Sequence, residues 1–87
     1  MYFVYFLHSK RKNNVYVGCT CDLERRLAEH NKGLVKSTKS RAPLTLIYYE
    51  KYDNLPSARR REDYFKSLYG ARKRKEIIDD QLKKLKV

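Results

Sequence analysis

Acidic residues, cysteines, glycines, prolines and long apolar runs are all scarce in this chain of 87 residues. Two prolines and three glycines leave no linker and no low-complexity block, and no internal repeat is present. No apolar stretch approaches the roughly 18 residues of a membrane-spanning helix. The run from Tyr2 to Leu7 is too short for a secretory leader and lacks its basic flank, so the expectation is a cytoplasmic protein without a membrane partner. Two cysteines, Cys19 and Cys21, exclude a disulfide framework, and no second pair completes a zinc site. They read as reduced thiols without a role. Ten Asp+Glu stand against 21 Lys+Arg, a formal charge of +11. Such an excess makes a polyanion the expected partner, nucleic acid before an anionic membrane surface.

What is present is a short α/β pattern sized for one domain over 1–87 with a single modest core. "FVY" at 3–5 and "VYVG" at 15–18 are apolar runs separated by polar, basic residues, which predicts a β-hairpin. A helix follows over about 21–32, with Thr20 as N-cap, Asp22 and Glu24 near its positive end and Gly33 just past its end. A basic loop leads to a third strand at 44–52. A second helix is expected over 57–69, and after Gly70 a third, with Ala71, Arg74, Ile78, Leu82 and Leu85 at helical spacing. The order is ββ-α-β-α-α.

Several residues sit oddly within those elements. Ala58, Phe65 and Tyr69 suit a core-facing stripe of the second helix, and Glu62 falls among them. A carboxylate there must be paired or ligating. The readings open at this point are an ion pair with Arg59, Arg60 or another base, a metal ligand or general base, and a displaced helix boundary. On the first helix Leu23 and Leu27 define the buried side, with Arg26 and His30 along one edge at i,i+4 spacing. That edge is either a solvated flank or a clamp for a phosphate ester, since guanidinium offers a bidentate fork and imidazole moves protons near neutral pH. Arg25 should point away. Tyr5 and Tyr16 lie on paired strands, the second close to Gly18, and the positive surroundings are expected to favour the phenolate.

Taken together, the ordered motifs resemble the GIY-YIG nuclease superfamily, most closely its small stand-alone single-domain bacterial members. "FVY" at 3–5 and "YVG" at 16–18 stand for the two signature tripeptides, "DLERRLAEHNKG" at 22–33 for the family's first helix, and "ARRRE" with "DYFK" at 58–66 for the segment bearing its glutamate. Phe3 and Val4 depart from the first tripeptide, and Cys19 stands where many relatives carry lysine.

The resemblance implies a small central three-stranded antiparallel sheet flanked by helices, and a phosphodiester hydrolase acting on DNA, including branched or damaged structures. It implies that Tyr16, with Tyr5 beside it, helps deprotonate the attacking water, that Arg26 stabilises charge on the phosphate, that His30 assists proton transfer, and that Glu62 holds one divalent cation, Mg2+ or Mn2+. Target choice would come from a protein partner, as in a DNA repair assembly. The alternative is a basic module that binds nucleic acid without cutting it. Two clusters, Lys36, Lys39 and Arg41 in the loop and Arg72, Lys73, Arg74 and Lys75 on the last helix, are expected to contact phosphates. No aromatic platform for stacking single strands is evident between them.

Overall fold

The computed structural model describes residues 1–85. Strands β1 (Tyr2–Ser9) and β2 (Asn14–Thr20) form the hairpin, turning at Asn13, whose φ of 49° suits an asparagine. Helix α1 (Leu23–Asn31) follows, then a single 3-10 turn (Lys39–Arg41), strand β3 (Leu44–Tyr52), helix α2 (Leu55–Lys66) and helix α3 (Ala71–Leu85). The sheet is antiparallel in the order β2-β1-β3, the architecture expected from the sequence.

Alternation along β1 divides the core. Tyr5 and Leu7 face α1, where they meet Leu23, Leu27, Leu44 and Leu46. Val4 and Phe6 face the other way, onto Ala58 and Phe65 of α2 and Ile77 of α3. Between Phe6 and Leu7 the register with β3 shifts by one residue, Phe6 pairing with Tyr48 and Leu7 with Leu46. The extra residue, Ile47, joins Tyr48 on the α2 and α3 side, so one strand supplies apolar residues to both layers.

Boundaries moved by a few residues, each for a local reason. Asp22, not Thr20, caps α1 by accepting the Arg25 N–H at 3.1 Å, while Thr20 accepts the Asp22 N–H one step earlier. Gly33 ends α1 with φ at 77°, as expected. α2 begins at Leu55 because Asn54 accepts the Ser57 N–H at 2.9 Å. It stops at Lys66, and the Ser67 hydroxyl donates to the Tyr64 carbonyl at 2.7 Å. Tyr69 is therefore off the core stripe and 92% exposed. On α3 Ile77 rather than Ile78 is the buried residue, and Leu85 is exposed.

Arg61, next to Glu62 in sequence, is given over to the fold. Its Nε and Nη2 donate to the two Glu50 oxygens at 2.9 and 3.2 Å, and its guanidinium lies 4.4 Å from the centre of the Phe65 ring. Tyr48 and Tyr52 also donate to Glu50. Burial pulls the Glu50 carboxyl up, but these donors outweigh it and hold the pKa below its usual value. This network clamps α2 to β3.

Candidate active site

A cleft of about 450 Å³ opens along β2, an edge strand of the sheet. α1 reaches it from one face and α2 from the other. Tyr5, Tyr16, Arg26 and Glu62 all line it, as do Arg25, Arg59, Cys19 and Cys21. Tyr5 pairs with Gly18 across the hairpin and Tyr16 with Leu7, so the two tyrosines are diagonal neighbours on one face, ring centroids 6.3 Å apart. Gly18 is required by this packing, because a Cβ there would lie 2.4 Å from the Tyr5 hydroxyl oxygen.

Tyr5 is held in a chain of hydrogen bonds. Its hydroxyl lies 2.9 Å from His30 Nε2, and His30 Nδ1 lies 2.6 Å from Thr38 Oγ1, itself 3.5 Å from the Val35 carbonyl oxygen. The Arg26 guanidinium lies near the Tyr5 hydroxyl as well. A carbonyl only accepts, so the Val35 end sets a direction. Thr38 donates to Val35, His30 Nδ1–H to Thr38, and Tyr5 to His30 Nε2. In this order every proton along the chain has an acceptor, and it assigns His30 the Nδ1–H tautomer.

Two expectations are corrected here. The Tyr5 hydroxyl is not poised to ionise: burial pushes its pKa up to about 12, and the nearby Arg26 guanidinium only partly opposes this. Desolvation wins over the positive surroundings. His30, expected on a helix edge, is fully buried, and burial followed by repulsion from Arg26 lowers its pKa despite Glu29. It is neutral in the folded protein.

That neutrality predicts a pH dependence. The unfolded chain takes up a proton on His30 near pH 6.5, whereas the folded chain resists protonation until lower pH. Stability from this group is thus complete above the unfolded pKa and is lost as pH falls below it. Urea midpoints measured from pH 8 to 5 should decline more for the native chain than for His30→Gln. His8 is common to both proteins, so parallel curves would show that His30 binds protons alike in both states.

Arg26 is half-buried, with Nη1 3.0 Å from Glu29 Oε1, and the neighbouring Tyr5 and then Glu29 raise its pKa further. Arg25, expected to point away, is exposed but also reaches the cleft. Glu62 is turned about 60° round the helix from buried Phe65, its side chain 19% exposed. Its ion-pair partner is Lys66 at 3.0 Å, not Arg59 or Arg60. Arg59 lines the cleft, and Arg60 donates to the Ser57 hydroxyl at 3.3 Å. Lys66 Nζ also stands 5.6 Å from the centre of the Tyr16 ring. Lys66 is the residue that sequence reasoning did not name, although its spacing of four from Glu62 places it on the same side of the helix. Cys19 and Cys21 are free thiols, as expected, but both border the site. Burial and then the Glu62 charge push the Cys19 thiol up.

Among the expected phosphate contacts, Lys36, Lys39, Arg72, Lys73 and Lys75 are exposed and Arg41 is partly so. Lys75 lies 3.4 Å from Asp79. Arg74 is partly exposed and donates to the Phe65 carbonyl at 3.0 Å where α2 ends. Among the described residues no group of three or more His, Cys, Asp or Glu could hold a metal ion, and no helix is long and apolar enough to cross a membrane.

Comparison with known proteins agrees with the fold. The GIY-YIG catalytic domain model matches residues 1–76. A UPF0213 protein of Natronomonas pharaonis is 38% identical over 80 residues, covering 91% of this chain and 93% of its own length. One from Clostridium perfringens is 37% identical, covering 95% of this chain and 89% of its own. The solution NMR structure of a UPF0213 protein from Bacillus halodurans aligns with a TM-score of 0.54 at 30% identity, covering 91% of this chain and 84% of that one. The paired tyrosines, the arginine of α1 and the glutamate of α2 thus lie within a matched catalytic-domain model, and the chain belongs to the GIY-YIG family, a nuclease family.

Proposed function

We propose that this protein is a metal-dependent endonuclease that hydrolyses phosphodiester bonds in DNA. The observation that carries the reading is the composition of the cleft: Glu62 is the one carboxylate among its lining residues, set against Arg25, Arg26 and Arg59 beside Tyr2, Tyr5 and Tyr16. Such a donor set fits a hard cation shared with a phosphate, whose oxygens and water complete the coordination. Glu62 would hold the Mg2+ or Mn2+, which when bound supplies Lewis-acid stabilisation at the phosphate.

The chain's own residues do the rest. Arg26 donates to the phosphate oxygens as negative charge grows there. Its guanidinium is held by Glu29. Tyr5 orients, since its proton is committed to His30, and His30 acts through Tyr5 rather than on substrate. Tyr16, half-buried at the cleft, takes the contact with the attacking water. Lys36, Lys39, Arg72 and Lys73 hold flanking phosphates. The free thiols accord with a cytoplasmic site of action, and a protein partner would supply target choice.

One observation favours the other reading, a module that binds nucleic acid without cutting it or serves as accessory subunit of a repair assembly. Lys66 already occupies Glu62 at 3.0 Å. The deciding experiment is Mg2+- or Mn2+-dependent nicking of supercoiled, flap, branched and single-stranded DNA, compared with Glu62→Gln to exclude a contaminant. Metal-dependent cutting absent from the variant supports the nuclease, and none on any substrate leaves the binding module. Binding itself should depend steeply on salt: about four phosphate contacts give a slope of log K against log salt near −4. A flat titration would sink both readings.

A further inference from the structure

The turn between α2 and α3 exposes two large apolar side chains, Leu68 at 94% and Tyr69 at 92%. A loose turn would explain little, but this one is built. The Ser67 N–H and hydroxyl both reach the Tyr64 carbonyl, at 3.2 and 2.7 Å, and the Gly70 N–H lies 3.4 Å from the same hydroxyl. Gly70 is buried so tightly that a Cβ would lie 1.9 Å from the Tyr64 oxygen. Arg74 closes the far side by donating to the Phe65 carbonyl. Both ends of the turn are therefore fixed, and Leu68 and Tyr69 project from it.

Position and charge say what they meet. Lys66, Arg72 and Lys73 flank the pair in sequence and are exposed, which repels a basic partner and attracts phosphate. Lys66 is also the residue bonded to Glu62 in the cleft. Three peptide units of 3.8 Å bound the Cα separation of Tyr69 and Lys66 to about 11 Å, within reach of nucleotides next to the cleft. A second copy of the chain is a poor occupant, since two side chains cover about 350 Å² against the roughly 800 Å² per partner of a stable interface.

We infer that the 67–70 turn is a base-stacking wedge, with Tyr69 stacking on an unpaired base and Leu68 beside it, while Arg72 and Lys73 hold the adjoining phosphates. The inference rests on the nuclease reading for its substrate and adds a preference: duplex containing unpaired bases is bound over uniform duplex.

The test uses the full chain in metal-free buffer, so that it is independent of cleavage. The sequence has no tryptophan, so Tyr69→Trp installs a single reporter. Its fluorescence should be quenched more strongly by a duplex with a short unpaired bubble than by a fully paired duplex of equal length. The double variant Leu68→Ser with Tyr69→Ser should weaken bubble binding about tenfold and duplex binding far less, the size expected when one base loses its stacking partner. Equal quenching by the two DNAs, or equal losses on both, would overturn the wedge while leaving the endonuclease reading in place. Sedimentation showing a dimer that Leu68→Ser dissociates would also overturn it. Failure of every DNA to bind would remove the nuclease reading as well.

Discussion

Glu62→Gln is expected to reduce cleavage by at least about 1,000-fold, because a carboxylate that positions a divalent cation supports several kcal/mol of transition-state stabilisation. Glutamine keeps the size of the side chain and removes the charge. The fold should tolerate it: the partner is Lys66, 47% exposed and one helical turn away. Pairs of this kind contribute about 0.3–0.5 kcal/mol. A buried ion pair with an arginine would instead have cost roughly 3–5 kcal/mol when broken. Unfolding and cleavage measured on the same variant separate the effects. A stable protein that binds DNA and does not cut supports the metal ligand, and an active variant removes Glu62 from the chemistry. DNA affinity without metal should hold or rise, as a negative charge facing phosphate disappears.

Arg26→Ala should lower single-turnover cleavage by roughly 100-fold or more, the usual loss for one donor aimed at developing charge. Arg25→Ala, also on the cleft but exposed and without the ion pair that holds Arg26, should act mainly on binding, raising KM with little change in kcat. Arg26→Lys discriminates further, because an ammonium cannot present a planar fork to phosphate. Recovery of full activity by lysine, or equal kcat losses at 25 and 26, would reduce α1 to a basic surface.

Residues whose role follows from chain periodicity were readable beforehand. The hairpin put Tyr5 and Tyr16 on paired strands, and Gly33 bounded the end of α1 to within two residues. Arg26 and Glu62 were singled out because a charge beside an apolar stripe calls for a reason. What escaped depended on contacts between distant elements. Nothing near His30 in sequence announces that the loop carrying Thr38 folds over it, and that loop turned an edge imidazole into a buried, neutral one. The burial that raised the Tyr5 pKa likewise comes from packing against α1 and Gly18. Tyr69 was misplaced because helical periodicity was carried past Lys66, where Ser67 and Gly70 take the backbone elsewhere. Arg61 and Arg74 looked like two more bases in basic runs until their acceptors, Glu50 and the Phe65 carbonyl, were seen.

The contact between Tyr5 and Gly18 bears on how far such sequences can drift and still be recognised. Phe3 leans on Tyr49, with ring centroids 5.9 Å apart, and Val4 points into the opposite layer. Neither side chain is called on by the cleft, so both positions are open to apolar replacement. Tyr5 and Gly18 are not independent in this way: the phenol occupies the space that any side chain at 18 would claim. The two signature tripeptides therefore carry one shared spatial constraint, and a search that weights the pair Tyr5 with Gly18 above the individual letters at 3 and 4 would find divergent relatives that the literal motif misses.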